Sequence, residues 1–417
     1  MAHTANTAKL DCTVAIVGGG PAGLALATEL KARGIDNVMV LEREAQAGGV
    51  PRHCGHYPFG FWEFKRLMKG PDYARALVQK AHAAGVEIRT GHTVTALHPN
   101  ARLSLSTADG AMEIQAERVV LCTGVRESSR AQRFIGGARP QGVISTGALQ
   151  SMVYLHGLRP FRRPVIVGTE LVSFSSIMTC RHSGMRPVAM IEQNDRITVR
   201  QFMRPFPALM GVPVKFSASN LRILGQRNVE GIEYLDRELT RQTIPCDGVI
   251  ISGNFRPEAA LLHASHIDVD PGTGGPSVDQ YGRTSDLSYF CTGNLLRPVE
   301  TSAWCWQEAV DCAGRIAADL TTPIGDPGFV PIIAQDPAIR YVLPQRLSLS
   351  EASGAMTTLQ LRLKQPAIGH LTASSAGHTL WGDFLQSRPE RRILAPLAPL
   401  LNTGVTAPID LSIMGNG

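Results

Sequence analysis

The sequence predicts an α/β protein, and three observations carry that prediction. Two separate segments each run from a short apolar strand through a glycine-containing turn into a helix, then into a second apolar strand that ends in an acid. That is the plan of a parallel βαβ unit. Two further apolar strands, at 119–124 and 290–294, end in Thr-Gly. Beyond residue 330 the pattern changes to alternating apolar positions such as Leu359, Leu361, Leu363 and Ile409, Leu411, Ile413, separated by Pro, Gly and Ser, which predicts a small β-rich C-terminal domain. A chain of 417 residues, 44% hydrophobic, is long enough for two βαβ domains and a smaller third unit.

The first βαβ segment is the more informative. Residues 13–17 are apolar and mostly β-branched, and they lead into Gly18-Gly19-Gly20-Pro21-Ala22-Gly23 and a helical stretch over 24–33. A second strand over 37–41 ends in Glu42, about 20 residues beyond the glycines, as a Rossmann-like unit requires. Gly18 lets the chain turn tightly, Gly20 lets backbone N–H groups approach a pyrophosphate, and Gly23 lets the helix lie close to the strand. The helix N-terminus adds positive potential there. The Glu42 carboxylate can accept two ribose hydroxyls and repels a 2′-phosphate, so FAD and NAD are candidates and NADP is disfavoured. The cofactor-binding candidates from this stretch are Gly18, Gly20, Pro21, Ala22, Gly23, Glu42, Arg43 and Gly49.

With the Thr-Gly strand ends, Thr123-Gly124 and Thr292-Gly293-Asn294, and the helical run over 308–320, the chain resembles the two-dinucleotide-binding-domain flavoproteins. This is the glutathione-reductase-like, or pyridine-nucleotide-disulfide oxidoreductase, family. The resemblance runs over roughly residues 10–320. It implies bound FAD, with Thr123, Gly124, Gly293 and Asn294 added to its site. The family has an acid where this chain has Asn294; an amide still bonds a hydroxyl, without charge assistance. The implied organisation is two Rossmann-like FAD/NAD(P)-binding domains. A discontinuous FAD domain covers 10–160 and 247–325, an inserted NAD(P)-binding-like domain covers 161–246, and the β-rich domain covers 331–417.

The inserted unit departs from the pattern. Its strand leads into Gly168-Thr169-Glu170-Leu171-Val172-Ser173, and its second strand ends in Glu192. Glu170 and Ser173 stand where the second and third glycines belong, so a carboxylate would face the pyrophosphate. Two like charges about 4 Å apart repel by about 4 kcal/mol at an effective dielectric near 20, or roughly three decades of affinity. The sequence therefore predicts a degenerate scaffold and an electron donor other than NAD(P)H. The 8 cysteines include no CxxC and no metal-ligand spacing, which argues against a dithiol relay, structural disulfides and zinc. Cys305 and Cys312, two helical turns apart, read as core residues.

Residues 48–60 concentrate Arg52, His53, Cys54 and His56 where the family's chain runs past the pyrophosphate to the isoalloxazine. Arg52 and His53 are the catalytic candidates, for carboxylate pairing and general base work, or they are loop residues bonding backbone and cofactor. Cys54 reads as structural. Segments at 64–65, 70–74, 123–127, 142–143, 146–148, 297–301 and 304–308 resemble a narrower group. This group comprises FAD subunits of heteromeric amine, imino-acid and opine dehydrogenases, of the hydrogen cyanide synthase and D-hydroxyproline dehydrogenase types. That resemblance implies an FAD-dependent dehydrogenase or oxidase subunit passing electrons from an amine or amino-acid-like small-molecule substrate to a separate acceptor. Partner oxidoreductase subunits or an iron–sulfur protein are the implied partners. Such subunits often carry a C-terminal iron–sulfur region, yet no cysteine follows Cys312 here. The alternatives are an NAD(P)H-dependent flavin reductase and a non-catalytic FAD-holding electron-transfer or assembly subunit.

The formal charge of +6 comes from scattered basic residues without a nucleic-acid motif, so no nucleic-acid partner is expected. The densest basic cluster, Arg159, Arg162 and Arg163, reads as a solvated connector between domains, or else as a landing patch for an acidic partner or an anionic substrate. Residues 1–11 do not read as a secretory leader and no apolar run has membrane-spanning length, so a cytoplasmic protein without a transmembrane segment is expected.

Overall fold

The computed structural model describes residues 8–323, 328–350, 354–402 and 404–415. Residues 1–7, on which part of the leader expectation rests, lie outside these, as do positions 325 and 417 at the ends of two expected domains. The chain divides into two compact units: Met1–Gly49, Ala76–Val125 and Pro257–Gly417 form the first, and Val50–Arg75 with Arg126–Arg256 the second.

In the first unit, β1 (Ala8–Val17), α1 (Pro21–Ala32) and β2 (Val38–Glu42) make the expected βαβ unit. Val14, Ala15, Ile16 and every residue of β2 are buried, because a parallel strand covered on both faces needs a continuous apolar run rather than an alternating one. The helix starts at Pro21, three residues before the expected 24. Proline at the first helical position forfeits only an N–H that has no partner there. The chain continues through β3 (Glu87–Thr90), β4 (Thr93–His98), β5 (Arg102–Thr107) and β6 (Gly110–Leu121). Strand order is β3-β2-β1-β6-β5-β4, parallel as far as β6 and antiparallel beyond it. β1 extends back to Ala8, five residues earlier than expected, because β6 is long enough to pair with it from Met112 to Leu121.

The second unit holds β7 (Val143–Ser145), α2 (Thr146–Tyr154), β8 (Pro164–Val167), α3 (Leu171–His182), β9 (Ala189–Ile191), β10 (Val214–Lys215) and β11 (Gly248–Ile251). These strands form one parallel sheet, ordered β10-β9-β8-β11-β7. The unit is larger than the expected 161–246. Because β7 pairs with β11 and β11 with β8, residues 126–160 and 247–256 share one core with the insert rather than joining the first unit. The arginine cluster is correspondingly a connector within this unit. Arg162 and Arg163 donate backbone N–H bonds of 2.7 and 2.8 Å to Asp247, between α2 and β8.

The first unit resumes at Pro257. β12 (Tyr289–Cys291) adds to β6 in parallel, and α4 (Ser302–Thr321) follows, opened by the Thr301 side chain, which accepts the Trp304 N–H. Residues 329–414 form the expected β-rich region, as a five-stranded and a three-stranded sheet around a shared core. Leu359, Leu361 and Leu363 point into that core on the central strand of the smaller sheet. Among the described residues no helix is long and apolar enough to cross a membrane.

Candidate functional site

The glycine turn after β1 is shaped by close backbone approaches. Gly18 has φ +110°, and a Cβ on it would lie 2.5 Å from the Cys122 carbonyl at the end of β6. A Cβ on Gly23 would overlap the Gly18 carbonyl, which is why α1 needs glycine where it leaves the sheet. Gly20 differs from both: its Cβ would point into open space, with only the Gly49 Cα near, at 3.9 Å. The N-terminus of α1 carries no side-chain cap, so its first N–H groups and the positive end of its dipole are open at this gap.

Glu42 closes one side. It is 7% exposed, with Oε2 accepting the Gly19 N–H at 3.0 Å and Oε1 accepting the Glu44 N–H at 2.9 Å. Each oxygen keeps a lone pair, enough for the expected pair of hydroxyls. The Gly48 N–H donates to the Gly19 carbonyl at 2.7 Å, which draws Gly49 against the turn. Arg43 is exposed and lies 3.7 Å from Glu44. Gly124 has φ +75° with open space at its Cβ position, while the Thr123 hydroxyl is bonded to the Glu258 carbonyl at 2.9 Å.

The Gly293 turn is built by residues that the sequence did not single out as site residues. Arg297 is fully buried and forks onto Glu308, Nη2 to Oε1 at 2.9 Å and Nη1 to Oε2 at 3.1 Å. The same two side chains take both backbone groups of Gly293: Glu308 accepts its N–H and Arg297 donates to its carbonyl, each at 3.1 Å. Burial opposes the Arg297 charge most strongly, but the Glu308 and Glu300 carboxylates, with smaller contributions from Cys305 and Tyr341, together hold the guanidinium above its ordinary pKa. Asn294 is also engaged by the chain itself. Its amide N–H donates to the Glu300 carbonyl at 3.0 Å and its oxygen accepts the Glu300 N–H at 2.7 Å, leaving one N–H and one lone pair. Next to it, the buried Thr292 Oγ1 has no hydrogen-bond partner among the described residues.

Gly18, Gly20, Pro21, Ala22, Gly23, Glu42, Arg43, Gly49, Thr123, Gly124, Gly293 and Asn294 all lie in the first unit. Arg52 and His53 belong to the second, partly buried on the single helical turn Val50–His53. Cys54, beside them, reaches Gln150 Oε1 at 3.6 Å, and burial pushes its thiol up to about 12, in keeping with a structural residue.

In the second unit the chain fills its own crevice. Glu170 stands at the N-cap position of α3 without capping the helix through its side chain, and its Oε1 accepts the Asn254 N–H at 2.8 Å; burial pushes its carboxyl up from the ordinary value. Glu192, in the ribose-acid position, is already bonded to Thr169, to Thr198 at 3.3 Å, and to the Asn194 backbone and amide at 2.9 and 2.7 Å.

A family model described as pyridine nucleotide-disulphide oxidoreductase matches residues 12–311. An opine oxidase subunit of Rhizobium meliloti is 24% identical over 361 residues, 79% of this chain and 66% of the relative. The ferredoxin–NAD(+) reductase component of a biphenyl dioxygenase system, from Paraburkholderia xenovorans, is 26% identical over 298 residues, 68% of this chain and 67% of the relative. The chain spans between 56% and 66% of the length of the opine oxidase subunits that it matches. In structure it is similar to a thioredoxin reductase of T. acidophilum, with a TM-score of 0.63 and 21% identity, over 75% of this chain and 99% of that one.

Proposed function

Since the chain belongs to the pyridine nucleotide-disulphide oxidoreductase family, a family of generally flavin-dependent oxidoreductases, we propose that it is an FAD-dependent dehydrogenase subunit. In this reading an amine or amino-acid-like substrate supplies the electrons, and they leave to a separate acceptor. The observation that carries it is the contrast between the two glycine turns. Around Gly20 the first unit keeps an open gap beside the N-terminus of α1, which fits a dinucleotide's pyrophosphate. At the corresponding place in the second unit stands the Glu170 carboxylate, already hydrogen-bonded.

FAD, when bound, supplies the two-electron redox chemistry. The chain's own residues would position it: Glu42 would hold the ribose, and the Gly18–Gly20 backbone with the α1 N-terminus would hold the pyrophosphate, while the Arg297–Glu308 pair fixes the Gly293 turn. Arg52 and His53 remain the candidates for the reacting face. The likeness to opine oxidase subunits supports the substrate class and a place beside partner subunits. The reading is tested by anaerobic titration of the purified, flavin-loaded protein with amines, imino acids, opines and NADH. Bleaching of the flavin absorbance by one of the first three, and not by NADH, is expected.

A second reading, an NAD(P)H-dependent reductase, is favoured by the ferredoxin–NAD(+) reductase relative. Rapid bleaching by NADH in the same titration would select it.

A further inference from the structure

The crevice of the second unit lies at the C-terminal ends of β8 and β11, where the strand order reverses and a nucleotide's phosphates would meet backbone N–H groups. Those donors are present but taken. Glu127 accepts the Gly253 N–H at 3.0 Å through Oε1, and through Oε2 the Gly147 N–H at 2.7 Å, at the N-terminus of α2. Glu170 takes the next N–H along the chain, that of Asn254. A Cβ on Gly253 would come within 2.5 Å of the Glu170 carboxylate, so the two are in van der Waals contact with no space for a ligand between them. Arg133 lies in the electrostatic field of Glu170, Glu192 and Glu127 and donates to the Ser252 carbonyl at 2.7 Å, at the end of β11. Oriented backbone N–H groups, a helix N-terminus and a guanidinium are the parts of a phosphate site; here two carboxylates occupy it.

We propose that Glu127 and Glu170 are an internal stand-in for a dinucleotide's phosphates, and that these acids set the crevice's specificity against nucleotides. The proposal rests on the reading that NAD(P)H is not the electron donor, and it adds the cause: the phosphate site persists and is closed by the chain itself. Neutralising Glu170 removes the repulsion while leaving an oxygen for the Asn254 N–H. Shortening it to glycine also opens the space beside Gly253.

The test is calorimetric titration of the full-length, flavin-loaded protein with NADH and with ADP, for wild type, Glu170→Gln, Glu170→Gly and the double variant Glu127→Gln/Glu170→Gly. Wild type should show no saturable binding. Each variant should gain affinity for both ligands, about 10- to 1,000-fold for one neutralised charge, and the gain should fall as salt rises. Glu170→Gln keeps the shape of the side chain; if it retains wild-type flavin content and melting temperature, and neither it nor the glycine variants bind better than wild type, the proposal is overturned. Reduction of the wild-type flavin by NADH is a different outcome, which removes the underlying reading of the electron donor and not the measured gain between variants.

Discussion

Arg297 and Glu308 hold each other through two hydrogen bonds and, through two more, hold both backbone groups of Gly293. Gln360, on a strand of the β-rich region, accepts the remaining Arg297 Nε–H at 2.9 Å, so that region braces the turn from behind. Removing one partner strands a buried charge. Glu308→Ala should cost about 3–5 kcal/mol, seen as a lower denaturation midpoint, and should lower flavin content as the Gly293 turn loosens. A fully flavin-loaded Glu308→Ala protein of wild-type stability would contradict this role.

Gly20 and Gly23 should behave oppositely. A side chain at Gly20 enters open space, so Gly20→Val should stay within about 1 kcal/mol of wild-type stability and lose the flavin absorbance. Gly23→Ala collides with the Gly18 carbonyl and should lose stability first. Thermal melts and visible spectra of the two variants separate these effects, and a yellow, fully loaded Gly20→Val protein would refute the placement of the cofactor.

Burial pushes the Glu127 and Glu170 carboxyls above their ordinary values, against the N–H bonds of Gly147 and Gly253 to Glu127 and of Asn254 to Glu170. The charged groups around them are each other, Arg133 and Glu192. A carboxyl whose native pKa is raised contributes stability that is complete below the unfolded value, near 4.3, and is lost as pH rises through the native value. Glu170→Gln lacks that loss. Its melting temperature relative to wild type should therefore rise between about pH 4.5 and pH 7, and a difference that stays flat over that range would contradict the assignment.

All the cysteines are free and buried, and burial holds Cys54, Cys12 and Cys180 at about 12. A thiolate-selective reagent at pH 8 should titrate almost none of them in the native protein and all 8 after denaturation. Fast native labelling of Cys54 would reopen it as a reactive group.

Leu361 is 1% exposed in the core of the β-rich region, on the strand that carries Gln360. Leu361→Ala should cost about 2–5 kcal/mol. If this strand braces the Gly293 turn through Gln360, flavin retention should fall with it, as measured by dialysis against flavin-free buffer.

What could be read without coordinates was local. The strand, glycine turn, helix and terminal acid from 13 to 42 lie within one βαβ unit, where spacing along the chain is spacing in space. The alternation at Leu359, Leu361 and Leu363 marks directly the strand face that enters the β-rich core. From the sequence alone came the α/β class, the two nucleotide folds, the β-rich region and the anomaly at Glu170. Tertiary structure decided the rest. It moved 126–160 and 247–256 into the second unit, because β7 and β11 become partners only through pairing across about 100 residues of chain. It turned the Asn294 amide toward Glu300, put Arg297 on Glu308, and set Glu127 on the Gly253 N–H 126 positions away. The physical reason is that a hydrogen bond between buried groups depends on where the fold brings donor and acceptor together, and residue type constrains only what each can offer.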